Sequence, residues 1–361
     1  MENTVLIDDI SEYLKDIFTR QEEIVRLYSD KYIRFAYYMS KNRNIFTPVV
    51  SNYLYEYGYK PTYPNKKPFA VCLTHDIDYL YSSYLSRGHH LALSLLNKDK
   101  ADFIRYLKSL INKKKPFTNL TEIMALEEGF HAKSSFYMMA LKPGERDFNY
   151  DVEDFRDLIR EIDAKGWEIG LHGGHEAWNS LEILTREKKR LEDALGKEVI
   201  GYRNHYLHFK VPDTWEILHK AGIKYDATLG YADCAGFRNG MCHPYYPYNL
   251  NTGETIEIME VPLIVMDGTL FDGYMRLERD DAFRLVTELI DAVEKVHGVF
   301  TLLWHNSYLI EGTWQREMYE RILAYCHQKN AWMTSGKEIY EWYYSNNETT
   351  ILDKSGIRFK T

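Results

Sequence analysis

Three times along this chain a helix-patterned segment ends on a glycine and an apolar run begins at once. The segments are 152–165 with Gly166 before 167–171, 181–195 with Gly196 before 198–202, and 280–297 with Gly298 before 299–304. A fourth helix pattern, 212–221, closes on Gly222. Glycine ends helices well because it takes a positive φ without a Cβ penalty. Helix, glycine and strand repeated in that order describe a parallel sheet with helices packed outside it. Further apolar runs at 69–74, 132–139, 256–262 and 331–334, with helix patterns at 100–111, 121–129, 315–329 and 336–344, extend the alternation. The count predicts an α/β fold nearer a (β/α) barrel, of about seven parallel strands, than an open sheet. No glycine-rich phosphate loop opens a first helix, which argues against a dinucleotide-binding fold.

The chain before Phe69 has a different pattern. Ile10, Leu14, Ile17, Phe18, Ile24, Leu27 and Tyr28 recur at helical spacing, so residues 1–67 are expected to form a helical N-terminal extension. Pro61, Pro64 and Pro68 then interrupt regular structure. The main domain is expected over 68–345, with a C-terminal tail over 346–361. At 361 residues and 45% hydrophobic content the chain has the material for one large core. Its net charge of −8 leaves no surplus of Lys and Arg to replace phosphate counterions, so a nucleic-acid partner is not expected. Lys113-Lys114-Lys115 reads as a solvated turn. No apolar stretch approaches the ~18–20 residues of a membrane span. The start Met1-Glu2-Asn3-Thr4 lacks the basic and apolar regions of a signal peptide. The expected location is therefore the cytoplasm, with Cys72, Cys234, Cys242 and Cys326 as free thiols.

The chemistry-bearing side chains fall where strands are expected to end, which is where a βα barrel keeps its active site. Asp76 and Asp78, in Thr74-His75-Asp76-Ile77-Asp78, are two apart, and on extended backbone that spacing puts both carboxylates on one face. His172 and His175 flank Gly173-Gly174, and the glycines are expected to turn the backbone so that both rings converge. Carboxylates and imidazoles of this kind hold a divalent ion and serve the water it activates. Arg203 ends another strand, in Gly201-Tyr202-Arg203-Asn204-His205, where a guanidinium can grip a catalytic carboxylate with two prongs. His305 follows the apolar run Val299-Phe300-Thr301-Leu302-Leu303-Trp304 and is placed to protonate a leaving group. His75, His205, His208 and His243 are read as structural or rim residues. The segment 228–250, rich in glycine and aromatics, has the length of a binding loop or lid, and its tyrosines and Phe237 are the side chains that would stack on sugar rings.

Together these strings resemble the polysaccharide deacetylase family, the chitooligosaccharide deacetylase homology domain, over roughly residues 68–340. The resemblance implies a distorted (β/α) barrel and metal-dependent removal of acetyl groups from N- or O-acetylated sugars. It implies Asp76 as general base, Asp78, His172 and His175 as ligands of a divalent metal with zinc expected, Arg203 beside the base, and His305 as acid. The family spaces its two histidines four apart, whereas His172 and His175 are three apart. That spacing favours the alternative, a catalytically silent carbohydrate-binding relative. A different barrel metallohydrolase, acting on phosphate esters or cyclic amides, calls for additional His or Lys ligands.

Overall fold

The structure, a computed structural model, describes residues 11–24, 29–32, 34–80 and 119–346, with only scattered positions between 81 and 118. Most of the helix expected over 100–111, the run Lys113-Lys114-Lys115 and the tail after Asn346 lie outside the described residues. Eleven strands are described: β1 Ala70–Ile77, β2 Ser135–Met139, β3 Glu168–Gly173, β4 Gly201–Asn204, β5 Tyr225–Asp226, β6 Tyr248–Asn249, β7 Glu254–Thr255, β8 Met259–Glu260, β9 Val265–Met266, β10 Val299–Leu303 and β11 Trp332–Thr334. Nine of them form one sheet in the order β8-β5-β4-β3-β2-β1-β10-β9, with β11 also beside β1, and every pairing within it is parallel. The sheet curls into a distorted barrel that stays open between β8 and β9, where no ladder closes it among the described residues. The expected seven or so strands become eight along this path because two-residue strands such as β5 and β9 are too short to show a pattern.

β1 explains why this fold has one dominant axis. One edge pairs with β10, while the other pairs with β11 through Ala70–Cys72 and then with β2 from Thr74 onward. All eight of its residues are buried, as a parallel strand covered on both faces requires. The helices Leu120–Glu128, Leu181–Leu195, Asp213–Lys220, Arg279–Lys295, Trp314–Gln328 and Gly336–Asn346 follow the expected boundaries to within a residue or two. Gly166 and Gly196 do take the left-handed conformation, at φ +89° and +90°. Gly298 does not; His297 carries the positive φ there, and Gly298 is required because a Cβ would run into Cys242 Sγ. The run 256–262 pairs only at Met259–Glu260, since Ile256 N–H turns to Pro247 O and Ile258 N–H to Ile256 O.

Two regions outside the alternation join the same core. Ile17 and Phe18 of the helix Glu12–Thr19, and Val50 and Leu54 of the helix Val49–Glu56, belong to the hydrophobic cluster that contains β1. Glu23, fully enclosed, accepts from Arg20 Nε at 2.6 Å and Arg238 Nε at 2.9 Å, tying the N-terminal segment to the 228–250 loop. Tyr231, Phe237 and Tyr245 of that loop are only 3%, 1% and 2% exposed. They pack inward under the N-terminal segment and do not form the open stacking surface that the sequence suggested. All four cysteines are buried and free. No helix among the described residues is long and apolar enough to cross a membrane.

Candidate active site

Side-chain alternation along β1 sorts its polar residues. Thr74 and Asp76 face the barrel interior, where Thr74 Oγ1 accepts from Arg203 at 3.1 Å. His75, on the other face, bonds to Glu127 Oε1 at 2.8 Å and lies 2.6 Å from the carbonyl of Trp304. His75 is thus a satisfied core residue. Asp76 is 2% exposed, and its Oδ1 lies 3.7 Å from a terminal nitrogen of Arg203. This is a single long approach, in place of the two-pronged pair the sequence predicted.

Beyond the end of β1, Asp78 meets two imidazoles. Its Oδ1 is 3.1 Å from His172 Nε2 and 3.5 Å from His205 Nδ1, while the two ring nitrogens are 3.2 Å apart. His172 is the last but one residue of β3 and stands in register with Arg203 on β4. Its Nδ1 donates to the carbonyl of Arg203 at 3.0 Å, which fixes the ring's orientation and turns Nε2 toward Asp78. Asp78, His172 and His205 are the only three His, Cys, Asp or Glu residues among the described ones that gather in this way. Three donors of this kind, with Asp78 Oδ1 buried and making no hydrogen bond, fit a divalent cation.

His175 is not in the cluster. Gly173 and Gly174 do not turn the chain with positive φ. They are needed for close approach, because a Cβ would collide with the ring of Tyr202 at one position and with Leu141 and Glu187 at the other. His175 therefore emerges in the turn beyond β3, with Nδ1 3.3 Å from Asp147 Oδ2 and its ring against His208 at 4.7 Å between centroids. His205 occupies the place expected for His175. The sequence carried a signal for it: Arg203 and His205 are two apart at a strand end, the same spacing that paired Asp76 with Asp78.

His205 stands on a strained turn. Tyr206 and Leu207 take φ of 58° and 53°, a region that costs a non-glycine residue about 1–2 kcal/mol. Asn204 Nδ2 donates to the carbonyl of His205 at 2.9 Å from one side of this turn.

His305 follows β10 and is held by a residue the sequence reading missed. Asp267, wholly buried just after β9, accepts from His305 Nδ1 at 2.7 Å and from its backbone N–H at 2.5 Å. A lone acid after a two-residue strand gives no pattern to find. His305 Nε2 is left facing Asp78 Oδ2 at 3.8 Å.

The electrostatics divide the three histidines. Burial opposes charge on His305, but Asp267, with Asp78 and Asp76 behind it, outweighs burial and pushes the ring up to about 10. Burial dominates at His205 and pushes it down to about 3, so its ring is neutral at neutral pH. At His172 burial is overcome by Asp76 and Asp78, and the pKa is raised. Burial also works against the Asp78 carboxylate, yet His172, His205 and His305 hold it well below the usual carboxylate range. The result is a neutral imidazole at His205, an anionic carboxylate at Asp78, and raised pKa values at His172 and His305 around a single point.

No family model matches the sequence, and neither does any curated protein. Solved structures do match. A candidate polysaccharide deacetylase of Mycobacterium smegmatis superposes with a TM-score of 0.55 at 17% identity, covering 81% of this chain and 95% of its own. A candidate polysaccharide deacetylase of Pseudomonas aeruginosa PAO1 gives a TM-score of 0.52 at 13% identity, covering 80% and 96%. The fold is that of the polysaccharide deacetylases. An allantoinase shares the polysaccharide-deacetylase fold, with a TM-score of 0.53 at 16% identity over 82% of this chain and 98% of its own. At these identities the likeness is one of architecture.

Proposed function

We propose that the protein is a metal-dependent carbohydrate deacetylase of the polysaccharide deacetylase family. It would release acetate from N- or O-acetylated sugars of a poly- or oligosaccharide or a precursor of one. The observation that carries this reading is the convergence of Asp78, His172 and His205 between a carboxylate and an imidazolium. His172 Nε2 is 3.8 Å from Asp76 Oδ2, so base and ligand set share one pocket. Asp78, His172 and His205 would hold a divalent ion, zinc by expectation, which supplies Lewis acidity to an acetyl carbonyl and acidifies the attacking water.

The chain's own residues do the rest. Asp76 takes a proton from the water as it adds to the carbonyl, with Arg203 beside it balancing the charge. His305, oriented by Asp267, whose carboxylate favours the charged ring, donates to the departing nitrogen or oxygen as its bond to the acetyl carbon breaks. The products are acetate and the free amine or hydroxyl. The short His172–His175 spacing, which favoured a silent carbohydrate-binding protein, loses its force once His205 is the third ligand. A cytoplasmic site of action stays part of the proposal, and cell fractionation checks it.

The test is metal analysis of protein purified without chelators, beside Asp78→Ala and His172→Ala, followed by acetate release from acetylated sugars. A stoichiometric ion lost in both variants, with acetate released by the wild type, supports the reading. No ion after added zinc and no acetate would sink it and restore the silent binder. Hydrolysis of a cyclic amide without acetate release would keep the metal centre and replace the substrate.

A further inference from the structure

The N-terminal segment has a place at the active site that the barrel alone does not explain. Asp30 Oδ1 accepts from the backbone N–H groups of Tyr32 and Arg34 at 2.8 and 2.9 Å, and Asp30 N–H donates to Arg34 O at 3.1 Å. This closed turn presents the Arg34 guanidinium, whose Nε donates to Asp30 Oδ2 at 2.8 Å. One terminal nitrogen donates to Tyr274 OH at 2.7 Å, and the other donates to the carbonyl of Tyr206 at 2.9 Å. The Tyr32 ring stacks on the Tyr206 ring, with centroids 4.9 Å apart and planes at 12°, while the Arg34 guanidinium lies 4.7 Å from the Tyr32 ring centroid. Tyr206 in turn packs on the His205 ring at 4.0 Å.

Tyr206 and Leu207 hold a backbone conformation that non-glycine residues leave unless their surroundings fix it. Arg34 and Tyr32 supply fixing contacts, one through the peptide oxygen and one through the ring. With the Tyr206 peptide pinned, the ring of His205 is directed so that Nδ1 meets Asp78 and His172.

We propose that Arg34, braced by Asp30 and working with Tyr32, is a positioning residue for His205 and hence for the candidate metal centre. The N-terminal segment is then part of the catalytic apparatus. The inference rests on the deacetylase reading for its function, but the geometry it predicts is open to test without metal.

The experiment compares wild type, Arg34→Met and Arg34→Lys in full-length protein. Asp30 keeps its two backbone donors in each, so no carboxylate is left unpartnered. On metal-free protein, nitrogen-15 spectra of the imidazole rings are recorded, with His205 assigned by its loss in His205→Gln. The His205 signals should move in Arg34→Met and return part of the way in Arg34→Lys. Those of His243, bonded remotely to Ser51 and Val296 O, should stay. Cobalt titration should show affinity falling in Arg34→Met, by no more than the roughly 10- to 100-fold typical of a side chain that bonds a metal ligand directly. Should Arg34→Met not fold, Tyr32→Leu is read by the same two measures. Unmoved His205 signals with unchanged cobalt affinity overturn the inference. A wild type that binds no cobalt while His205 still responds to Arg34→Met would leave the inference standing and remove the metal reading.

Discussion

The barrel buries carboxylates at both of its ends, and the two ends treat them differently. Glu168, at the start of β3, is 4% exposed and fully bonded: Ser135 Oγ donates at 2.6 Å, Tyr225 OH at 2.7 Å and the backbone N–H of Lys337 at 2.8 Å. Ser135 Oγ in turn accepts from Gly336 N–H at 2.8 Å, so the helix Gly336–Asn346 begins on this network and plugs that end. At the other end Asp76 Oδ1, Asp78 Oδ1, Arg203 Nε and one of its terminal nitrogens are buried and make no hydrogen bond. Buried polar groups in a folded protein are almost always satisfied, and each orphan costs about 1–3 kcal/mol. Where both oxygens are bonded by the surrounding chain, the carboxylate is part of the scaffold. Where several go unused around one point, the proposed metal and substrate would supply their partners.

That contrast yields predictions that can break it. The largest effect is expected for Asp76→Asn, which keeps size and position but loses the proposed base: turnover should fall by about 10²- to 10⁴-fold while bound metal is retained. Next come His205→Ala and His175→Ala, compared by metal affinity. The first should lose more than the roughly 10- to 100-fold typical of an outer partner, and the second no more than that. Equal losses would put His175 back among the ligands. At the scaffold end, Glu168→Ala strands three donors and should lower stability by about 3 kcal/mol, read by chemical denaturation. Its turnover per folded molecule should match wild type. A turnover loss there as deep as that of Asp76→Asn would erase the distinction between the two ends.

The scaffold was more legible than the site, for physical reasons. Helices such as Leu181–Leu195 declare themselves by period and by a capped end; Ser180 Oγ accepts from Ile183 N–H and Gly196 takes the left-handed turn. Asp76, Asp78, Arg203 and His172 could be read because each sits on or directly after a regular strand, where alternation says which way a side chain points. His175 falls outside the cluster because Gly173-Gly174, which as a sequence predicts a turn, is constrained instead by crowding from Tyr202 and Glu187. Asp267 and Arg34 were invisible for another reason. Their partners, His305 and Tyr206, lie 38 and 172 residues away, a separation no local pattern encodes.

One buried carboxylate stands between the two types. Glu187, on the helix Leu181–Leu195, accepts from Gly174 N–H at 2.8 Å and lies 3.7 Å from Arg186, yet burial pushes it up to about 7 from an ordinary 4.5. Its folded pKa exceeds its unfolded one, so the folded state binds the extra proton between them. The stabilising contribution is complete below about pH 4.5 and is lost as the pH rises through 7, a swing on the order of 3 kcal/mol. Glu187→Gln keeps an oxygen for Gly174 N–H and cannot ionise. Its melting temperature relative to wild type should therefore rise between pH 5 and pH 8. A difference that stays flat across that range would mean that Gly174 and Arg186 satisfy the ionised carboxylate, and would place Glu187 with the scaffold.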